Sequence, residues 1–214
     1  MLRDFFRKHT DSAIVLLIGV VVGYQMGVHA FAPHTPELPP AATPSGLTVI
    51  VDELRATGWF PPLVDRVAAE EGFSAETYQD AGGTSAIGYG TNITTGGITT
   101  DQQAYCGVSA NPSVVTEPQG HCLLETGLAY RWRDFRADES FVSDLPDAVK
   151  AGLLDMVYEV GVGGTENFGD MIDSLRAGDY MGAADAVRQS LWFQEDPARA
   201  GEFRGILLAH AGPE

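Results

Sequence analysis

Apolar and polar positions divide the chain into an apolar N-terminal run and a patterned remainder. Residues 12–36 contain no Asp, Glu, Lys or Arg, and residues 12–32 are long enough for a helix that spans a bilayer. Three Lys or Arg side chains precede this run, and the next one along the chain is Arg55. The positive-inside rule then places residues 1–11 in the cytoplasm and the remainder outside. The pattern predicts a type II membrane protein with one transmembrane or signal-anchor helix.

Three fates of this helix fit its composition, because Gln25 and several glycines make it only weakly apolar. It is a permanent anchor, a signal-anchor that later leaves the membrane, or a signal peptide cleaved near Ala30. Residues 33–46 follow with five prolines and are predicted to form an extended linker. At about 3.1 Å per residue, such a linker reaches roughly 40 Å from the membrane.

Residues 47–214 show the patterns of a globular domain. Apolar residues at helical spacing predict helices, and the stretch 72–91, rich in Gly, Ser and Thr, predicts a β-hairpin with its turn near residues 81–83. Residues 92–121 are predicted to be a loop. Together these elements predict an α+β fold. The predicted helices cover residues 47–54, 63–71, 122–135, 144–160, 168–176, 180–192 and 197–212.

Charge and metal-ligand spacing exclude several classes of function. The formal net charge is −16, from 13 Lys and Arg against 29 Asp and Glu, and no basic stripe is present. A nucleic-acid partner is therefore not expected, since such binders carry a basic face. The five histidines are dispersed and fit no zinc-binding spacing, so the sequence predicts no metal and no cofactor.

The chain has two cysteines, Cys106 and Cys122. With the predicted domain outside the cytoplasmic membrane, we expect a disulfide that closes a short loop. A pair of reduced thiols is the alternative if the domain stays in the cytosol.

Two carboxylates are candidates for acid-base chemistry. Glu71 ends the second predicted helix, and Asp80 lies on the first strand of the predicted hairpin, which can fold back so that both flank one groove. Glycosidic cleavage requires such a pair: one carboxyl group protonates the leaving oxygen, and the other stays ionised and supports the positive transition state or orients water. Because the chain is so acidic, two carboxylates at this spacing would, taken alone, more often be solvated surface residues than a catalytic pair.

Motifs around these carboxylates change that expectation. Glu71-Gly72 is followed by Tyr78-Gln79-Asp80 and then by Ile87-Gly88-Tyr89-Gly90, and this series resembles the phage-type lysozymes (endolysins). The spacing of Glu71 and Asp80 matches that of the family's catalytic carboxylates. Later segments also resemble the family, so that the similarity covers most of residues 60–212 except 92–121. These segments are residues 151–161, 168–180 and 192–200.

The resemblance implies a two-lobed lysozyme fold, with a small β-hairpin lobe, a helical lobe and the glycan in the cleft between them. Glu71 is then the general acid, Asp80 the second catalytic carboxylate, and Arg199 the partner that holds Glu71 in place. The resemblance also implies supporting or substrate-binding positions beside the cleft, namely Thr91, Tyr78, Gly88, Tyr89 and Gly90.

One departure from the family concerns the residue that positions the water molecule which attacks the sugar. The family places a water-positioning Thr where this chain has Ala86, which has no hydroxyl group. Three outcomes stay open: another group positions the water, the sugar's own hydroxyl attacks as in lytic transglycosylases, or the protein binds glycan without cleaving it.

The sequence thus predicts a membrane-tethered lysozyme at residues 47–214 that hydrolyses the β-1,4 bond between N-acetylmuramic acid and N-acetylglucosamine during bacterial lysis. Its expected partners are peptidoglycan strands and, through the N-terminal helix, the inner membrane of the host. Association with the virion is the alternative location. An inactive glycan-binding protein on the same fold and a lytic transglycosylase are the alternative functions.

Overall fold

The computed structural model describes residues 45–79, 83–94, 97–161 and 168–212. The predicted membrane segment at residues 12–32 lies outside these ranges, as do Asp80 and all but the last two residues of the predicted linker. Within the described ranges, no helix combines the length and the apolarity that crossing a bilayer requires.

The described residues form a mixed structure, mostly helical with one small sheet, as the α+β prediction requires. A short 3-10 turn at Ser140–Asp144 separates the fourth and fifth helices. The helices are α1 (Gly46–Arg55), α2 (Phe60–Glu71), α3 (Thr100–Cys106), α4 (Glu117–Asp138), α5 (Asp147–Val160), α6 (Gly169–Arg176), α7 (Tyr180–Gln189), α8 (Leu191–Glu195) and α9 (Pro197–His210). The strands are β1 (Ser74–Gln79), β2 (Ser85–Gly88) and β3 (Thr91–Asn92).

Two predictions about the helices between residues 92 and 135 are wrong. Residues 92–121 are not all loop, because they contain α3, and α4 begins at Glu117 rather than at residue 122. Both helices begin with a capping box, in which Thr99 pairs with Gln102 and Thr116 with Gln119. This reciprocal cap satisfies backbone donors at the helix start and stabilises helices whose composition is otherwise polar.

A third correction concerns the predicted helix at residues 180–192. It is two helices, because Ser190 has extended backbone angles and its hydroxyl caps α8 by accepting from the backbone N–H of Phe193. The predicted start of the last helix is confirmed: Asp196 accepts from the backbone N–H of Arg199, and Pro197 occupies the first turn.

The three strands form one antiparallel sheet in the order β1-β2-β3. Tyr78 pairs with Ala86 across the first two strands, and Ala86 pairs with Asn92 across the next two. Directly paired residues in antiparallel strands project to the same face. Tyr78 and Ala86 therefore share one face of the sheet.

Two clusters of buried side chains lie on either side of α4. The smaller lies beside the sheet and includes Ile87, Ile98 and Leu123, whereas the larger joins the helices and includes Leu124 and Leu128. Neighbouring positions of α4 thus point into different cores, so this helix connects the two. The arrangement is compatible with the predicted two-lobed lysozyme fold.

The predicted disulfide between Cys106 and Cys122 is confirmed. It joins the end of α3 to the first turns of α4, and it closes a loop with a sequence separation of 16 residues. A bridge of this span restricts the unfolded chain and stabilises the fold by about 3 kcal/mol.

Replacing both cysteines by alanine should lower the free energy of unfolding by about 3 kcal/mol. Urea unfolding of the full-length chain in mild detergent, followed by fluorescence of the buried tryptophans, measures this loss. The reduced wild-type chain is the matched control and should lose a similar amount. Equal unfolding midpoints for the oxidised, reduced and alanine forms would show that the bridge does not stabilise the domain.

Candidate active site

Glu71 is the last residue of α2, where the chain turns towards the sheet. Leu63, Val64 and Val67 bury one side of this helix in the larger core, and Gly72 ends it with a backbone φ of 70°. Glycine is favoured there because side chains strain this left-handed conformation. The Glu71 side chain is left only 10% exposed.

Arg199, in the first turn of α9, forms an ion pair with Glu71. Its Nη1 atom donates to Oε1 of Glu71 at 3.1 Å, across 128 positions of sequence. The guanidinium group is buried, with 8% of the side chain exposed. The contact is the one that the family resemblance implies.

Three further carboxylates surround the same guanidinium group. Asp155 on α5 accepts from Nε and Nη2 of Arg199 at 3.2 and 2.7 Å, and its other oxygen lies 3.3 Å from Nη2 of Arg66. Glu70 lies 3.2 Å and Glu159 3.7 Å from Nε of Arg199. We call Glu70, Glu71, Asp155 and Glu159 the carboxylate cluster. Because four carboxylates surround Arg199, its positive charge interacts with all four and not with Glu71 alone.

Burial and charge act in opposite directions within this cluster. Burial alone would lower the pKa of Arg199, but the hydrogen bonds that it donates to Asp155 and the charges of Asp155, Glu159 and Glu70 outweigh burial and hold the pKa above its ordinary value. Burial raises the pKa of Glu159, although the indole N–H of Trp192, which donates to its Oε2 at 2.9 Å, and the charge of Arg199 partly oppose this. Burial also raises the pKa of Glu70.

Gly90 lies in the turn between β2 and β3, facing Glu71. Its backbone φ is 88°, and a methyl group built on it would lie 3.7 Å from Oε2 of Glu71, 3.8 Å from the hydroxyl of Tyr158 and 4.0 Å from the hydroxyl of Tyr78. A side chain here would be strained by this backbone conformation, and its first carbon would be in van der Waals contact with all three oxygens.

Sequence reasoning gave no role to Tyr158, Asp155 or Glu159. Tyr158 donates its hydroxyl proton to the backbone carbonyl of Tyr89 at 2.8 Å, and the guanidinium of Arg131 lies 4.9 Å from its ring centroid. These three residues of α5 stand three and four positions apart and so lie on one helix face. The spacing alone does not indicate which residues that face contacts.

The remaining predicted site residues lie around the sheet. The Tyr89 side chain is buried against Phe73 and its hydroxyl contacts Glu117, and substrate binding by this residue stays a prediction. Gly88 has a packing role, because a methyl group there would lie 3.1 Å from the Cα of Gly120 on α4.

Two members of the predicted site, Thr91 and Ala86, are placed on the strands, and Asp80 is outside the described residues. Thr91 is half-buried and pairs with Ile87. Ala86 is fully buried, and its methyl group offers no hydrogen bond to a water molecule. Tyr78 is 41% exposed beside it.

Comparison with known sequences agrees with this arrangement. The family model described as phage lysozyme matches residues 68–204, a range that contains Glu71, Asp155 and Arg199. The chain belongs to the phage lysozyme family. The resemblance inferred from the motifs is thereby confirmed at the level of family membership.

One curated relative of this phage lysozyme family member is the pre-baseplate central spike protein Gp5 of Enterobacteria phage T4. It is 28% identical over 158 residues, which cover 68% of this chain and 27% of the relative. The similarity therefore concerns only about a quarter of the length of the spike protein.

Replacing Arg199 by leucine should destabilise the fold by about 3 to 5 kcal/mol at neutral pH, because four carboxylates lose their shared cation. The control is Arg133→Leu on α4, whose exposed side chain pairs with the adjacent Asp134 and lies over the ring of Tyr130, and which should change stability by only about 1 kcal/mol. Urea unfolding of the two variants measures the difference. Similar losses in both would mean that the cluster does not depend on Arg199.

A second expectation concerns how the stability of the fold depends on pH. Because the pKa of Glu159 is raised, the folded chain holds this proton more tightly than the unfolded chain. The residue therefore favours folding below its ordinary pKa, and this contribution is lost as the pH rises through the folded value. Glu159→Gln, which keeps an acceptor for Trp192, should raise the melting temperature more at pH 7 than at pH 4.

The matched control is Glu195→Gln, at the exposed end of α8. Its effect on the melting temperature should be small at both pH values. Melting curves that show the same gain at pH 4 and pH 7 for Glu159→Gln would contradict the assignment of a raised pKa.

Proposed function

We propose that the chain is a peptidoglycan glycosidase that hydrolyses the β-1,4 bond between N-acetylmuramic acid and N-acetylglucosamine, with Glu71 as the general acid. The observation that carries the proposal is the geometry of Glu71. Its Oε1 atom accepts a hydrogen bond from the buried Arg199 at 3.1 Å, and its Oε2 atom lies 3.7 Å from a methyl position built on Gly90, in the turn between β2 and β3. Membership of the phage lysozyme family supports the same reaction class.

In the proposed reaction, Glu71 gives its proton to the glycosidic oxygen as the bond from that oxygen to the anomeric carbon breaks. A water oxygen forms a bond to the same carbon, and the water loses one proton to an ionised carboxylate. Family resemblance assigns that second role to Asp80. The products are a chain with a new reducing end and a chain with a free hydroxyl group.

The surroundings of Glu71 suit a general acid in their geometry, because such a group must be held in a fixed position beside the bond that it protonates. The Glu71 side chain is only 10% exposed, and Arg199 holds its Oε1 atom at 3.1 Å. Glu70, Asp155 and Glu159 hold the same guanidinium group, so the partner of Glu71 is itself fixed.

The location of the enzyme is also part of the proposal. The sequence supports a tether made of residues 12–32 and the linker of residues 33–46, with the catalytic domain in the periplasm of the host. A tether raises the local concentration of the domain near its substrate. This matters because the net charge of −16 gives no long-range attraction to an anionic cell wall. The similarity to a phage spike protein supports a phage context, including a location in the virion.

A second candidate function is glycan binding without cleavage, and the residue that favours it is Ala86. It lacks the hydroxyl group that the family uses to position water, and it is fully buried. Cleavage by the sugar's own hydroxyl group, as in lytic transglycosylases, also dispenses with that water. These alternatives differ from hydrolysis in their products.

The test is to incubate the full-length chain in mild detergent with purified peptidoglycan and to identify the soluble products by mass spectrometry. Hydrolysis gives muropeptides with reducing ends, and Glu71→Gln should lower their rate of formation by about 100-fold or more. The control is Glu53→Gln, an exposed glutamate on α1 that pairs with Arg136 and should leave the rate unchanged.

Each other product pattern contradicts hydrolysis. Products with 1,6-anhydro ends would establish a transglycosylase. Sedimentation of the folded chain with peptidoglycan, without any product, would establish the binding protein.

A further inference from the structure

Hydrolysis needs a polar group that holds the attacking water beside the sugar, in addition to the acid. The three atoms nearest to a methyl position built on Gly90 include two hydroxyl oxygens. They belong to Tyr158 and Tyr78, at 3.8 and 4.0 Å from the methyl position built on Gly90. Oε2 of Glu71 lies 3.7 Å from the same position.

These two hydroxyl groups differ in their hydrogen bonding and in the exposure of their side chains. Tyr158 is half-buried, its proton is donated to the carbonyl of Tyr89, and its ring lies against Arg131. It is suited to fixing the turn that contains Gly90. Tyr78 is 41% exposed on β1, so a water molecule can reach its hydroxyl group.

The strand register places Tyr78 beside the position that lacks a hydroxyl. Tyr78 pairs directly with Ala86, so both side chains project from the same face of the sheet. The tyrosine side chain starts next to Ala86, and its hydroxyl group ends near Gly90, the residue that Oε2 of Glu71 also approaches. It thus brings a hydroxyl group to the face on which residue 86 offers only a methyl group.

We propose that the hydroxyl group of Tyr78 orients the water molecule that attacks the anomeric carbon. A phenol can accept a hydrogen bond from this water and so aim a lone pair of the water oxygen at the carbon. The proposal rests on the proposed hydrolysis and adds a positioning residue to it. Tyr78 takes no proton from the water. The proton that the water loses passes to the second carboxylate.

The first test is Tyr78→Phe in the full-length chain, assayed on purified peptidoglycan. We expect kcat to fall on the order of 10- to 100-fold, because the water is no longer aimed, while KM stays within about twofold. The matched control is Tyr180→Phe on α7, which contacts His210 far from Gly90 and should change neither constant.

The second test asks whether a hydroxyl at residue 86 replaces that of Tyr78. In the Tyr78→Phe background, Ala86→Thr adds a hydroxyl on the same face, whereas Ala86→Val adds the same bulk without one. We expect the threonine to restore at least about tenfold in kcat and the valine to restore nothing. Melting temperatures of all variants show whether either residue disturbs the buried position.

The outcomes separate this inference from the proposed function. If the wild-type chain releases no reducing-end products, the proposed function fails. If the wild type is active and Tyr78→Phe keeps kcat within twofold, or changes KM alone, only the role of Tyr78 is overturned. Equal rescue by threonine and valine would also overturn it, because packing rather than a hydrogen bond would then explain the loss.

Discussion

The ion pair between Arg199 and Glu71 is the interaction on which the rest of the site depends. It joins the end of α2 to the start of α9, and Asp155 and Glu159 attach the same guanidinium group to α5. A buried arginine is tolerated because several carboxylates satisfy it, and each carboxylate is tolerated because of the arginine. Three helices that are far apart in sequence are thereby fixed around one carboxyl group. This is the rigid support that an acid catalyst needs.

Glu71 lies between the other members of the carboxylate cluster and the sheet. On one side of Glu71, α5 supplies Asp155 to hold Arg199, and one turn later it supplies Tyr158 to hold the turn around Gly90. On the other side, β1 presents Tyr78 to solvent. Asp155 and Tyr158 are therefore engaged in holding Arg199 and the turn in place, whereas Tyr78 is partly exposed to solvent.

Much of the helical pattern was predictable because it depends on local signals, such as the cap formed by Asp196 before Pro197. The helix Thr100–Cys106 was missed because its residues are mostly polar and show no apolar periodicity, although its capping box was legible in the sequence. The contact between Glu71 and Arg199 was reached through the family motifs. The family motifs did not reveal that Asp155 and Glu159 converge on Arg199. This convergence depends on how α5 packs against α2 and α9, which no local pattern encodes.

The most direct test of this account is a crystal structure of the Glu71→Gln chain with a bound tetrasaccharide of alternating N-acetylglucosamine and N-acetylmuramic acid. One glycosidic oxygen should lie within hydrogen-bond distance, about 3 Å, of the carboxamide at position 71. The other side of that carboxamide should still face Arg199, with the sugar above Gly90. A glycan bound elsewhere on the domain, or a residue 71 turned away from every glycosidic oxygen, would contradict the assignment of Glu71 as the acid.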